Sequence, residues 1–145
     1  MTTTVSSSLY KSQIQDYYYE RRAESSIGTG DRFLISKAVF GTSSLVTENS
    51  SGTYDIATLP TNFTLAEMAS SFCTVTPTLT YADGVITVRV DLDQTQLTDG
   101  TSYPFNTLAI LDNENVPVAI MCVQEDSLYV GKSYTAVMTI NTTIA

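Results

Sequence analysis

A period of two between apolar and polar positions dominates the C-terminal half of the chain. Residues 85–92 show it most clearly, with their apolar side chains on one face: Ile86, Val88, Val90 and Leu92. This is the pattern of a half-buried antiparallel strand. The Asp83-Gly84 pair directly before it is a hairpin-turn signal, and the Thr-rich run at 74–80 precedes that turn. Because Pro77 interrupts the run, we predict an edge strand there.

Residues 105–123 carry apolar side chains on both faces of two predicted strands. The strands flank a polar turn of acidic and amide residues at 112–115. Two apolar runs around such a turn indicate a buried β-hairpin, and we expect it to be the central pair of a sheet. A loop at 93–104 leads into it. A last strand is predicted at 132–144, with four apolar side chains aligned: Tyr134, Ala136, Met138 and Ile140.

A helical period occurs nearer the N-terminus. Residues 9–26 are predicted to form an amphipathic helix, with an apolar stripe at i, i+4, i+7 and i+8: Tyr10, Ile14, Tyr17 and Tyr18. The Gly-Thr-Gly sequence at 28–30 is predicted to end the helix. Three adjacent tyrosines cannot all face one core, so we expect Tyr17 and Tyr18 to point inward and Tyr19 outward.

The segment between this helix and the Thr-rich run is less regular. Residues 33–40 are apolar on both faces and predict a strand that ends at Gly41. Residues 42–62 are rich in Ser, Thr, Asn and Gly, and predict a long loop with a possible short strand at 54–59. The sequence at 64–67 has the form of a capping box. It predicts a short second helix with a small apolar face: Leu65, Met68, Ala69 and Phe72.

The order of these elements predicts the α+β class. We expect a mainly antiparallel β-sheet or sandwich, with an N-terminal amphipathic helix and one short second helix. Residues 9–145 would form a single domain, and residues 1–8 a polar N-terminal arm. No run of about 18 apolar residues occurs, so no membrane insertion is expected. The N-terminus lacks the basic and apolar regions of a secretory signal, which favours synthesis in a cytoplasm.

Composition argues against catalysis. The chain of 145 residues contains no histidine, which removes Ser-His-Asp and Cys-His chemistry and every His-ligated metal site. The two cysteines, Cys73 and Cys122, lie in apolar strand-like contexts and are predicted to be buried free thiols. The acidic loop around Asp93 lacks the Gly and Glu that an EF-type calcium loop needs, because Gln96 and Ser102 occupy those positions. We therefore expect no enzyme, no cofactor and no metal.

Charge is unevenly distributed along the chain. The formal net charge is −8, yet residues 1–37 hold five basic and four acidic groups, and the remainder holds two basic and eleven acidic ones. An acidic body argues against nucleic acid, because binding to phosphates needs clustered Lys and Arg. It argues equally against an anionic membrane surface. The less acidic N-terminal part remains available for docking to a protein.

The amino-acid sequences of several segments, and their order, resemble those of a known family. Phe33-Leu-Ile-Ser-Lys-Ala-Val-Phe-Gly41 is a strand ending in glycine after a leading helix, and a strand pair follows it. A second segment is similar to the pattern aromatic-x-x-apolar-Gly-Leu-Tyr/Phe-Asp-x-x-Gly-x-Leu/Val-Ala. It consists of Phe105-Asn-Thr-Leu-Ala-Ile-Leu-Asp112, the turn, and Val116-Pro-Val-Ala119. Here Thr107 stands where the family commonly has Glu, and Ala109 where it has Gly. Over residues 9–144 the chain resembles the N-terminal, baseplate-attaching domain of bacteriophage tail-collar and tail-fibre proteins.

This resemblance implies a structural virion protein of the tail, made in the host cytoplasm. Because the chain stops at Ala145, where fibre proteins continue into a trimeric shaft, we expect a stand-alone fibre, collar or baseplate adaptor. Its partners would be other tail, baseplate or fibre subunits, and it would form a homo-oligomer such as a trimer. Candidate interface anchors are the apolar and aromatic residues near the N-terminus, since exposed aromatics often anchor interfaces: Tyr10, Ile14, Tyr17, Tyr18 and Tyr19.

Two other functions remain open on the sequence. A β-sandwich of this kind could bind a carbohydrate or a cell-surface receptor through the loops at 42–62 and 93–104. The three adjacent tyrosines could stack on a sugar instead of packing inward. A pilus or surface-layer subunit is a third alternative, which the missing secretion signal disfavours.

Overall fold

The computed structural model describes residues 10–142, which form ten strands, one α-helix and two short 3-10 turns. The predicted arm at 1–8 lies outside these residues. The 3-10 turns are Leu65–Glu67 and Gln94–Gln96. The remaining elements follow in chain order: β1 (Tyr10–Ile14), α1 (Asp16–Ser26), β2 (Ile35–Ser43), β3 (Val46–Glu48), β4 (Tyr54–Ile56), β5 (Met68–Val75), β6 (Thr78–Ala82), β7 (Val85–Asp91), β8 (Tyr103–Asp112), β9 (Pro117–Leu128) and β10 (Thr135–Asn141).

Two sheets build the body of the fold. One has five strands in the order β1-β9-β8-β2-β5, and the other has three in the order β10-β7-β6. The short β3–β4 hairpin forms a separate pair, and all strand pairs are antiparallel. The predicted mainly antiparallel β-rich class is confirmed.

The centre of the five-stranded sheet is buried on both faces, which explains why β8 and β9 are apolar without alternation. On β8, Leu108 and Ile110 belong to the core shared with the three-stranded sheet. Ala109 and Leu111 belong to a second core, beneath the β3–β4 hairpin and Phe63. The predicted buried hairpin is confirmed, and both of its strands have neighbours on each side. The predicted free, buried thiols are confirmed as well.

The β8–β9 turn is held by the carboxylate of Asp112, which is fully buried. Its Oδ1 accepts hydrogen bonds from the backbone N–H groups of Glu114 and Val116, each at 2.9 Å. Asn115 has a φ of 64°, a left-handed conformation that an amide side chain tolerates better than most. The carboxylate and the Asn thus form a tight turn that contains no glycine.

The predicted helix over residues 9–26 was wrong in its first part, because Tyr10–Ile14 is a strand and α1 begins at Asp16. β1 pairs with β9 along its full length, so it covers the edge of an apolar strand. Gln15 separates the two elements. Its buried side chain donates to the Pro60 carbonyl at 2.8 Å and accepts from the Phe63 N–H at 2.6 Å. Tertiary pairing has overridden a helix-like spacing.

The predicted second helix is only a 3-10 turn. The capping box is confirmed, with the Thr64 N–H donating to Glu67 Oε2 at 2.7 Å. The chain then becomes β5 at Met68 and pairs with β2, which would otherwise lack a neighbour on that side. The prediction that the preceding strand ends at Gly41 was also wrong, since β2 continues to Ser43, and one of the two irregularities in its pairing with β5 lies at the glycine.

Pro77 lies where the chain crosses from one sheet to the other. β5 ends at Val75 on the edge of the five-stranded sheet, and β6 begins at Thr78 on the edge of the three-stranded sheet. The prediction of a single strand through the Thr-rich run was therefore wrong, because the run is split between two strands, but the predicted edge position is confirmed for both. The hairpin turn at Asp83-Gly84 is confirmed, with φ values of 50° and 79°.

α1 is held at the end of the sandwich that carries the β8–β9 turn. The Tyr17 hydroxyl donates to Asp112 Oδ2 at 2.7 Å and contacts Glu114 Oε2 at 3.3 Å. Burial, followed by the Asp112 carboxylate, raises the pKa of the Tyr17 phenol well above its usual value. Tyr18 inserts into the main core beside this contact. The helix ends at Ser26, and the left-handed Gly28 follows as predicted.

We predict that Tyr17→Phe lowers the free energy of unfolding by about 1–2 kcal/mol at pH 7, because the buried carboxylate loses a donor. A raised pKa means that the folded state holds the phenol proton more tightly. The stabilisation is therefore complete below the unfolded pKa of about 10 and is lost as the pH rises toward the folded pKa. Urea unfolding at pH 7 to 11 should show the wild-type advantage shrinking at high pH. The exposed Tyr129→Phe is the control, and an equal loss there would contradict the role of Tyr17.

Gly41→Ala should destabilise the protein by about 3 kcal/mol or more, since overpacking against backbone cannot relax cheaply. A Cβ at Gly41 would overlap the Ser70 carbonyl oxygen across the bulge. Gly52→Ala is the matched control, because it meets no atom within 4 Å and only its positive φ of 81° is unfavourable. The Gly52→Ala control should lower the free energy of unfolding by only about 1 kcal/mol. Thermal unfolding measures both, and equal losses would refute the steric argument.

Candidate interface surface

The five candidate anchors divide into two groups in the structure. Tyr18 is a core residue with 2% of its surface exposed, in edge-on contact with Phe33 at 5.6 Å between ring centroids. Tyr17 braces the β8–β9 turn. These two side chains therefore position α1 against the sandwich, as their predicted inward direction requires.

The other three anchors lie at the open side of the sandwich, where β1 and β10 are the outer strands of their sheets. Two adjacent hollows of about 360 and 290 Å³ run between these strands, and we call them together the β1–β10 cleft. Tyr10 lines the first hollow, and Ile14 and Tyr19 line the second. The sequence did not indicate the contribution of β10, which adds Val137 and Met138.

Large apolar side chains remain exposed along this cleft. Tyr10 is 61% exposed, Val137 57% and Tyr19 46%. The predicted outward direction of Tyr19 is confirmed. The guanidinium of Arg22 lies 5.6 Å from the centre of its ring and 5.4 Å from that of Tyr18, a cation–π contact that orients the aromatic edge of α1. Exposed aromatic and β-branched residues beside unpaired strand edges are typical of protein contact surfaces.

Charged groups near the cleft are paired within the chain. Lys132 Nζ lies 2.8 Å from Asp126 Oδ2, and this hydrogen bond holds the pKa of Asp126 below its usual value. The Lys11 ammonium on β1 donates to the Ile56 carbonyl at 2.9 Å. The cleft walls thus combine apolar and aromatic side chains with uncharged polar ones such as Ser12, Gln13 and Thr139.

A second exposed apolar surface borders β6 on the opposite edge of the three-stranded sheet. Here a groove of about 420 Å³ is bounded by Leu79 and Tyr81 on one side and by Leu34 and Ile35 on the other. Tyr81 is 67% exposed, Leu34 44% and Leu79 40%. We call this surface the β6 groove. The sequence predicted an edge strand here but not its exposed apolar residues, because their exposure depends on the chain leaving the five-stranded sheet at Pro77, before β6 begins.

The loops considered for ligand binding are tied to the body of the protein. The segment at 42–62 contains the β3–β4 hairpin, whose Val46 and Ile56 are buried in the second core. In the segment at 93–104, Asp93 accepts hydrogen bonds from Thr95 and Gln96, which lower its pKa.

Reactive side chains are few in the part of the chain that the structure describes. Residues 10–142 contain no group of three or more His, Cys, Asp or Glu side chains able to hold a metal ion. Burial raises the pKa of both thiols, Cys73 and Cys122, which makes them poor nucleophiles. No helix within this range is long and apolar enough to span a bilayer.

Comparison with known proteins gives a consistent result over the whole chain. The family model described as Bacteriophage P1 tail fiber protein R matches residues 1–145. Tail fiber protein R of Escherichia phage P1 is 70% identical over 141 residues, covering 97% of this chain and 98% of that protein. No solved structure shows a significant match. The resemblance to phage tail-fibre proteins is confirmed, and the chain belongs to the bacteriophage P1 tail fiber protein R family.

Proposed function

We propose that this chain is a structural subunit of a phage tail fibre, located in the virion tail, that joins neighbouring tail components through the β1–β10 cleft. The observation that carries the proposal is the exposure of Tyr10, Tyr19 and Val137 between two outer strands of the sandwich. A peptide strand from a partner could add to either strand edge, while the aromatic residues fill its side-chain pockets. The role would be that of an adaptor, acting by binding and not by catalysis.

Residues 1–8 are mostly Ser and Thr and precede the cleft in the sequence. The described residues begin at Tyr10, which lines one hollow of the cleft. We propose that this polar segment is an arm that extends over a neighbouring subunit. The segment contains no charged side chain, so it can approach an acidic neighbour without repulsion.

The finer assignment of the cleft is to the attachment of a fibre to the collar or baseplate. The adaptor would also form a homo-oligomer, to which the cleft is not assigned. Interfaces of this kind bury large areas around aromatic anchors, and the cleft offers two tyrosines. Ile14 adds to its apolar wall. Tyr17 and Tyr18 contribute indirectly, by holding α1 and therefore Tyr19 in place.

Replacing Tyr10 and Val137 together by Glu should abolish attachment. In a phage whose own copy of the gene is inactivated, a plasmid supplies wild-type or variant protein. We expect virions made with the double variant to carry at least tenfold fewer fibres in negative-stain micrographs, because two carboxylates would be desolvated at the interface. The matched control is Tyr129→Glu with Val130→Glu, a pair of the same composition that is also exposed.

Normal fibre numbers with the cleft variant, in a protein whose thermal unfolding is unchanged, would contradict the proposal. If virions then kept their fibres but failed to adsorb, and the purified chain bound glycans, the receptor-binding alternative would replace it.

Removal of residues 1–8 should weaken attachment without affecting the fold, because no described strand includes them. Fibre content of complemented virions is the measurement, and unfolding by urea is the check on folding. A chain whose first eight residues are replaced by Gly and Ser keeps the length and tests whether the arm is only a spacer. Full attachment after the deletion would exclude the arm from the interface.

A further inference from the structure

β6 is an outer strand that lacks the features by which proteins prevent edge pairing. Within residues 10–142 it pairs with β7 alone, and all five of its residues are exposed. Thr78–Ala82 contains no charge and no proline, and its pairing with β7 runs without a bulge. Charges, prolines and bulges are the usual protection of such edges. This strand is therefore ready to accept another strand.

The surroundings of β6 favour another copy of the same acidic chain. No charged residue occurs from residue 68 to residue 82, although the chain as a whole carries a net charge of −8. The charged side chain lining the β6 groove is Arg22. Two copies can therefore approach with little repulsion at this edge, whereas acidic surfaces elsewhere would repel each other.

The turn geometry shows which backbone groups are available. Asp83 and Gly84 form a two-residue turn, so the flanking pair Ala82 and Val85 exchanges both hydrogen bonds. Hydrogen-bonded positions alternate along an antiparallel pair. The N–H and C=O groups of Leu79 and Tyr81 consequently point away from β7, toward the open edge.

We propose that β6 pairs antiparallel with β6 of a second copy, about a twofold axis at Thr80. The contact joins two three-stranded sheets into one sheet of six strands. Leu79 of each copy lies opposite Tyr81 of the other, which forms two aliphatic–aromatic cross-strand pairs and four backbone hydrogen bonds. A twofold contact of this type is self-complementary and closes at two copies. The inference stands independently of the attachment role proposed for the β1–β10 cleft.

The register follows from the sequence of the strand. Centring on Thr80 pairs all five residues of β6 within the strand. A shift that moves the axis to Leu79 places Tyr81 opposite Pro77, which has no N–H to donate. A shift to Tyr81 instead places Leu79 opposite Asp83, a turn residue with positive φ. Thr80 is thus the centre that keeps every outward backbone group paired.

Proline substitutions test the two outer strands of the three-stranded sheet, β6 and β10, one at a time. Leu79→Pro removes an N–H that points away from β7, so the hairpin keeps its own hydrogen bonds. By the same alternation, Val137→Pro on β10 removes an outward N–H at the opposite edge and is the matched control. We expect the full wild-type chain to sediment as a dimer and the Val137→Pro variant to remain dimeric. The dimer dissociation constant of the Leu79→Pro variant should be at least about a hundredfold higher than that of the wild type.

A monomeric or trimeric wild-type chain would overturn the proposal, as would a dimer that survives Leu79→Pro or is lost in Val137→Pro. Should Leu79→Pro fail to fold, Tyr81→Lys provides the same test, because that side chain is 67% exposed and its replacement leaves the core intact.

A cysteine at the axis tests the register itself. Thr80→Cys brings the two introduced thiols opposite each other, within the span that a disulfide can bridge. Oxidation should then yield a covalent dimer on a non-reducing gel. Thr78→Cys is the control, since in this register Thr78 lies opposite Ala82 and should not cross-link. The native cysteines are buried. Equal cross-linking at positions 78 and 80 would refute the assigned register.

Discussion

Burial of the β8–β9 hairpin on both faces is the constraint on which the rest of the fold depends. The three-stranded sheet covers one face, and the β3–β4 hairpin with Phe63 covers the other. The polar residues enclosed in the process must be paired, because an unsatisfied buried group costs about 1–3 kcal/mol. Accordingly, Asn106 Oδ1 accepts from the Ser43 N–H at 2.9 Å, and the Ser43 and Thr107 hydroxyls lie 2.7 Å apart.

The same arrangement leaves strand edges exposed. β5 carries two irregularities in its pairing with β2, and bulges of this kind discourage further pairing. β1, β6 and β10 have regular pairing on one side and no described neighbour on the other. A small sandwich with three regular outer strands is suited to joining other chains, which is consistent with a family of tail-fibre proteins.

Local pattern was sufficient to predict the strands and turns whose geometry is set by nearby residues. The alternation in β7, the Asp83-Gly84 turn and the apolar runs around Asp112 are of this kind. It was insufficient for β1, because residues four apart, such as Tyr10 and Ile14, share a face in a strand as well as in a helix. Pairing with β9 decides between the two, and such long-range pairing cannot be read from a local window.

The candidate surface was predictable only in part for the same reason. Tyr10, Ile14 and Tyr19 could be proposed from their chemistry, since exposed aromatics favour contacts. Their convergence with Val137 depends on where β10 lies beside β1. Similarly, Leu79 and Tyr81 look like ordinary strand residues until the crossing at Pro77 moves them beyond the edge of the larger sheet.

The distribution of charge connects these edges with a role in assembly. The three regular outer strands contain no acidic residue and only one basic residue, Lys11, whose ammonium is bound to the Ile56 carbonyl. The acidic groups lie on α1, on the loops and turns, and on the remaining strands. A net charge of −8 keeps free subunits apart in most orientations. Approach edge to edge keeps most of the acidic groups apart, so electrostatic repulsion favours the orientations in which strands can pair.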